Sequence, residues 1–193
     1  AAEILLSAAA YHRLLQHSQH IVDALLLEIA RAWRAPRLYV SLQRIERQAY
    51  RIADRLGLEI EVVTKDCGVR IPAEELKRLW SSMIHLIRNA LDHGIEPPEE
   101  RLESGKDAQG TLRLETIERE GHIELVVADD GRGINWERVR TKAKSLGLPH
   151  TTEDDLLEAL FHDGFSTRDQ VSEISGRGIG MAALRHDIAD LGG

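Results

Sequence analysis

Three short stretches combine residue types that can do chemistry. In HLIRNALDHG, His85 to Gly94, the side chains of His85, Arg88, Asn89, Asp92 and His93 fall on one side of a helix. At about 100° per residue, Leu76, Leu79, Trp80, Met83, Ile84, Ile87, Ala90 and Leu91 share the opposite arc. A solvated helix face is ordinarily filled with Glu, Lys and Gln, whereas Asn, Asp and His are mediocre helix formers that favour caps and turns. The face therefore reads as selected for chemistry, with a merely wet surface as the plain alternative. DDGRG, Asp129 to Gly133, sets a carboxylate at a strand end beside glycines, where a ligand can approach the backbone closely. That suits a flat, hydrogen-bonding ligand such as a purine, although an Asx turn has the same composition. SGRGIG, Ser175 to Gly180, places alternating glycines just before a helix, where free amides and the helix dipole favour a phosphate. It matches neither the P-loop nor the dinucleotide fingerprint.

The elements that must position these stretches can be read from periodicity. Residues 1–34 predict a helix in which Ile4, Ala8, Tyr11, Leu15, Val22, Leu25 and Ile29 lie close to a heptad seam broken by Ser18, and Pro36 interrupts it. A second helix is expected from about Leu38, with Leu38, Leu42, Ile45, Ala49, Ile52 and Leu56 in four-three spacing and Gly57 as its stop. The two make a helical hairpin or a dimer seam, or each packs on its own domain. Beyond Gly57, EIEVV reads as a strand, Pro72 opens the helix bearing HLIRNALDHG, and PPEERLESGKDAQG reads as a polar surface loop. TLRLETI and HIELVVADD alternate as an antiparallel pair around Glu120 and Gly121. Helices are expected from about Trp136 to Leu146, Glu153 to Phe161 and Ile179 to Leu191. The class is α+β.

Bulk properties exclude several functions. The 193 residues suffice for one good core plus a helical appendage. The net charge of -7, with Lys and Arg scattered, leaves no electrostatic footprint for nucleic acid. Cys67 is the single cysteine, which excludes an internal disulfide and a multi-cysteine zinc site and fits a reducing, cytoplasmic setting. No uncharged apolar run approaches the roughly 18 residues that span a bilayer, although a larger parent protein can still be membrane-associated. The chain begins at Ala1 without methionine, so it is read as an excised piece.

In their order and intervals, with FHDGFST between the two glycine stretches, these blocks resemble the ATP-binding domain of bacterial sensor histidine kinases. That domain belongs to a wider family shared with heat-shock chaperone ATPases, type II topoisomerases and MutL. The resemblance runs from about Leu38 to the end and is closest to the CheA-type chemotaxis kinases. It implies a two-layer Bergerat-type fold, an antiparallel or mixed sheet on helices, with residues 1–56 as a helical dimerisation or linker element and 57–193 as the catalytic domain. It further implies that Asn89 binds the Mg²⁺ that bridges the nucleotide phosphates and that Asp129 accepts a hydrogen bond from the adenine amino group. His85 would orient or deprotonate the phosphoryl acceptor, with Arg88, Asp92 and His93 around the phosphates and metal. Gly131, Gly133, Ser175, Gly176, Arg177, Gly178 and Gly180 would shape the ATP pocket and its lid. Arg138 and Lys142, one turn apart, are similar in position to family cations that reach the phosphates, a solvated basic face being the alternative.

The implied activity is autokinase chemistry, in which the γ-phosphoryl passes to a histidine on a separate domain or partner and then to an aspartate of a response regulator. His12, His17 and His20 lack the acidic residue that follows the usual acceptor and read as surface or packing histidines. Three departures stand out. Asp163 replaces a usual proline, Ala182 and Ala183 stand where an acid is usual, and the chain stops at LGG where relatives continue into further strands. The last is read as truncation. Homodimerisation through the first helix is expected. A non-catalytic ATP-binding scaffold or degenerate kinase is the alternative function, and a hydrolytic clamp is disfavoured because His85 stands where such ATPases carry a glutamate.

Overall fold

The structure, a computed structural model, describes residues 19, 21–27, 37–71, 76–165 and 181–193. Most of the first expected helix, the opening at Pro72 and the whole of Ser175 to Gly180 lie outside the described residues. Residues 21–27 are helical, and their Ile21, Val22, Leu25, Leu26 and Leu27 side chains are exposed.

Helix α1, Leu38–Leu56, follows its apolar spacing closely: Leu38, Leu42, Ile45, Ala49 and Ile52 are buried, and only Leu56 of the expected seam is exposed. Gly57 ends it in the left-handed conformation, φ 67°. The Leu58 amide donates to Ala53 O at 3.0 Å and the Gly57 amide to Asp54 O at 3.4 Å, a Schellman closure. The buried stripe packs on the sheet, where Tyr50 Oη accepts from the Val62 amide and Glu46 Oε2 accepts from Thr64 Oγ1. Of the arrangements open to this helix, the structure shows it in one core with its neighbours.

Three strands form one mixed sheet in the order β1-β2-β3: β1 Ile60–Lys65, β2 Gly110–Arg119 and β3 His122–Asp129. β2 and β3 are the expected antiparallel hairpin, turning at Glu120 and Gly121, with Leu112 paired to Asp129. β1 runs parallel to β2, from Ile60 opposite Gly110 to Lys65 opposite Glu115. Parallel neighbours need a crossover, and here it carries α2, Lys77–Asn89, a π-helical turn, Ala90–Gly94, and α3, Pro98–Glu103. Alternation places Leu112, Leu114 and Thr116 of β2 in the core beneath α1 and α2. The stretch read as a polar surface loop thus contains a short helix, opened by Pro98 in the first turn.

Beyond the sheet, α4, Trp136–Ser145, and α5, Glu153–Leu160, pair through buried Val139, Ala143, Leu156 and Ala159. A capping box opens α5: Thr152 Oγ1 accepts from the Asp155 amide, and Asp155 Oδ2 accepts from the Thr151 and Thr152 amides. α6, Met181–Asp190, lies on α2, where Ser82 Oγ donates to Asp187 and Arg78 pairs with Asp190. Arg185 joins it to α5 through Glu158 and stands over the Phe161 ring.

Two stability measurements follow. Leu114 is wholly buried, so Leu114→Ala lowers unfolding free energy by about 2–5 kcal/mol, read from the urea midpoint. The backbone and hydroxyl donors of Thr152 and Thr151 hold the Asp155 carboxyl down at about 2. A depressed carboxylate contributes stability above its unfolded pKa and loses it on acidification. Asp155→Ala therefore lowers the thermal midpoint at neutral pH, and its gap to the parent chain closes as pH falls from about 4 through about 2.

Candidate nucleotide site

The chemistry-bearing helix keeps its two faces. Leu79, Met83, Ile87 and Leu91 are buried, His85, Asn89 and His93 are exposed, and Arg88 and Asp92 are half-buried. Ser82, outside the expected apolar arc, is buried as well, where it meets Asp187. The His85 and Asn89 side chains make no hydrogen bond within the described residues, so their polar atoms are open to a ligand. Regular α-helix stops at Asn89 and widens into the π turn, closed by the Ile95 amide donating to Ala90 O at 2.8 Å. Such widened turns recur at functional sites because they re-aim side chains by one position.

The π turn ends on Gly94, and there the two sequence blocks meet. An added Cβ at Gly94 would lie 2.9 Å from Asp129 Oδ1, and one at Gly131 would lie 2.2 Å from the carbonyl carbon and oxygen of Gly94. Gly131 has no room for a side chain, because backbone blocks it, whereas one at Gly94 would displace the Asp129 carboxylate. The Arg132 amide donates to Gly94 O at 2.9 Å, which fastens the turn after β3 to the end of the crossover helix. Asp129 Oδ1 accepts from the Gly131 amide at 3.0 Å, so the Asx turn is present, and Oδ2 takes no hydrogen bond from any described residue. The Asx turn thus leaves one carboxylate oxygen without a partner among the described residues.

The neighbouring Asp130 has a different task. Its Oδ1 accepts from the Thr111 amide at 2.9 Å and from Arg101 Nη1 at 3.1 Å, and its Oδ2 accepts from Arg101 Nη2 at 2.8 Å. Arg101 is 1% exposed. Its remaining hydrogen bonds run to Glu96 Oε2, Asp107 O, Gln109 O and Asp130 O, which satisfies the whole guanidinium. Lys106 Nζ closes the cluster on Glu96 Oε1, Asp130 O and Gly131 O, at 2.8, 3.0 and 3.0 Å. Burial alone raises the Glu96 and Asp130 carboxyls. Lys106 and the backbone for Glu96, and the Thr111 amide and Arg101 for Asp130, outweigh it and hold both below their usual range. Sequence reasoning missed Glu96, Arg101, Lys106 and Asp130 as a unit, because Asp130 lies far along the chain and the stretch around Arg101 reads locally as an ordinary polar loop punctuated by Pro and Gly.

Gly133 follows the joint with φ 71°. Arg138 and Lys142 stand on α4, whose first turn is capped by Asn135 Oδ1 accepting from the Arg138 amide. That helix packs on α5. Among the described residues, no three His, Cys, Asp or Glu side chains gather to hold a metal. The Asn89 amide and Asp92 carboxylate offer hard oxygen donors only. Such a set fits Mg²⁺, which keeps waters and binds through one or two protein oxygens together with substrate phosphates. No helix among the described residues is long and apolar enough to cross a membrane.

Comparison with known proteins shows the family to which the chain belongs. Residues 80–193 match the family described as histidine kinase-, DNA gyrase B- and HSP90-like ATPase. The chain is 39% identical over 166 residues to the chemotaxis protein CheA of Rhizobium meliloti (strain 1021), covering 84% of this chain and 22% of that protein. It is 38% identical over 161 residues to CheA of Salmonella typhimurium (strain LT2), covering 82% of this chain and 24% of that protein. It thus spans under a quarter of the length of these two relatives. Among solved structures, the mycobacterial sensor histidine kinase MprB aligns with 78% of this chain and 76% of that chain, at 20% identity and a TM-score of 0.43. From the first helix face to the glycine turn, the chain belongs to the histidine kinase-, DNA gyrase B- and HSP90-like ATPase family and carries a CheA-like ATP-binding domain.

Proposed function

We propose that this domain binds Mg-ATP and transfers its γ-phosphoryl group to a histidine on a separate domain or partner, in a chemotaxis-like phosphorelay that ends on a response regulator. The observation that carries the reading is the joint at Gly94: it brings the Asp129 carboxylate, whose Oδ2 has no hydrogen-bond partner among the described residues, to the end of the helix that presents His85 and Asn89. Adenine fits this corner because its exocyclic amine donates and the carboxylate accepts. The triphosphate then runs toward the exposed helix face.

Phosphoryl transfer asks a protein for positioning and neutralisation of charge more than for covalent chemistry. Magnesium, when bound, neutralises phosphate charge and orients the transferred group. Asn89 supplies an amide oxygen to it, with Asp92 beside, and Arg88 and His93 flank the phosphates. His85, exposed and without a hydrogen-bond partner in the described residues, orients the incoming acceptor histidine or takes its proton. In this reading Arg138 and Lys142 on α4, together with Ser175, Gly176, Arg177, Gly178 and Gly180, complete the phosphate site. The first helix pairs two copies of the chain, and the chemistry takes place in the cytoplasm.

Asp129→Asn places an amide donor opposite the adenine amine and weakens ATP by about 1.5–3 kcal/mol, measured by calorimetry in Mg²⁺. Asn89→Asp weakens Mg-ATP and leaves any magnesium-independent binding nearly unchanged. Gly131→Ala forces the joint apart, so both thermal stability and nucleotide binding fall. With γ-labelled ATP, an added histidine-bearing phosphoacceptor domain gains acid-labile phosphate; ATP binding without any such label favours the scaffold reading.

A further inference from the structure

The geometry assigns Arg101 and Lys106 as positioning residues for base selection: a buried cation pair that sets the aim of the Asp129 carboxylate without touching the ligand. The assignment rests on the reading that Asp129 meets adenine. Asp129 itself is exposed, and among the described residues its carboxylate accepts one hydrogen bond, from the Gly131 amide two residues on. Its direction therefore depends on the backbone from 129 to 132.

That backbone is held from two sides. On one side it abuts Gly94, with the Gly131 Cα against the Gly94 carbonyl and the Arg132 amide donating to it. On the other, the carbonyls of Asp130 and Gly131, the two residues directly after Asp129, each accept from Lys106 Nζ at 3.0 Å. Asp130 is further locked through both carboxylate oxygens by Arg101. Glu96 completes the clamp: its Oε1 takes Lys106 and its Oε2 takes Arg101, and it lies just past the π turn that ends the helix with His85 and Asn89. The same two cations thus tie the base-reading turn to the phosphate-facing helix. A turn held on one side only can shift, and a carboxylate aimed at an exocyclic amine loses selectivity with small displacements.

A site built around one hydrogen bond to a purine substituent rejects the analogue lacking that donor by about a hundredfold or more. ATP carries a 6-amino donor and inosine triphosphate a 6-oxo acceptor, so the ratio of their affinities reads the aim of Asp129. The experiment measures both nucleotides by calorimetry in Mg²⁺ on the parent chain, Arg101→Lys, Lys106→Met and the surface control Arg55→Gln, with thermal unfolding alongside. Lys106 is one-third exposed, so Lys106→Met keeps the fold even if Arg101→Lys does not. The expected result is that the ATP-to-inosine-triphosphate ratio falls by about tenfold in the Arg101 and Lys106 variants, the size of coupling between contacting residues, and stays unchanged in Arg55→Gln. A lower thermal midpoint with an unchanged ratio in Lys106→Met overturns the assignment and leaves the cations as supports of the fold. No heat from ATP on the parent chain overturns the adenine reading itself, which is a separate failure.

Discussion

The contact between the backbones of Gly94 and Gly131 is the constraint from which the rest of the molecule is arranged. Two peptide segments approach so closely that a single methyl group at Gly131 would sit 2.2 Å from the opposing carbonyl. Side chains normally keep a helix end and a strand end apart, so the joint requires glycine at 131. Ile95, next in the chain, packs into the space that Gly110 leaves at the start of β2. One corner thus fixes the helix end, the strand start and the turn after β3 relative to each other.

The cluster of Glu96, Arg101, Lys106 and Asp130 works by a different physics. Desolvation offsets most of the attraction in a buried ion pair, so the cluster adds little net stability, while loss of one of its two buried members, Arg101 or Glu96, costs about 3–5 kcal/mol. Its effect is to penalise every other path of the crossover chain. Arg101 can satisfy its donors only where two carboxylates and the carbonyls of Asp107, Gln109 and Asp130 converge. The two adjacent aspartates divide accordingly: Asp130 turns inward to the guanidinium, and Asp129 keeps one oxygen without a hydrogen-bond partner among the described residues.

Much of this was legible in the residues. The four-three spacing of α1 and its Gly57 stop appear where expected, as does the hairpin around Gly121. So do the two faces of the His85 to Gly94 helix. The π turn was not legible, because Leu91 stays on the core side whether or not the turn widens and a 3.6-residue period registers no change. The burial of Arg101 was hidden for another reason: its main partner lies 29 positions along the chain, so local composition shows only a polar stretch. The parallel pairing of β1 with β2 likewise leaves no local mark, since a strand's own pattern does not name its neighbour.

That parallel pairing has a kinetic consequence. The β2–β3 hairpin closes through a two-residue turn, whereas Ile60 must find Gly110 across the entire crossover. Chain-closure entropy delays such distant encounters relative to local ones. On an emerging polypeptide, α1 and α2 leave the ribosome before the strand that unites them, and the corner at Gly94 has nothing to lean on until Gly131 has been synthesised. Until that moment the corner cannot form, so the crossover helix end and the turn after the hairpin take their final places in a single late event.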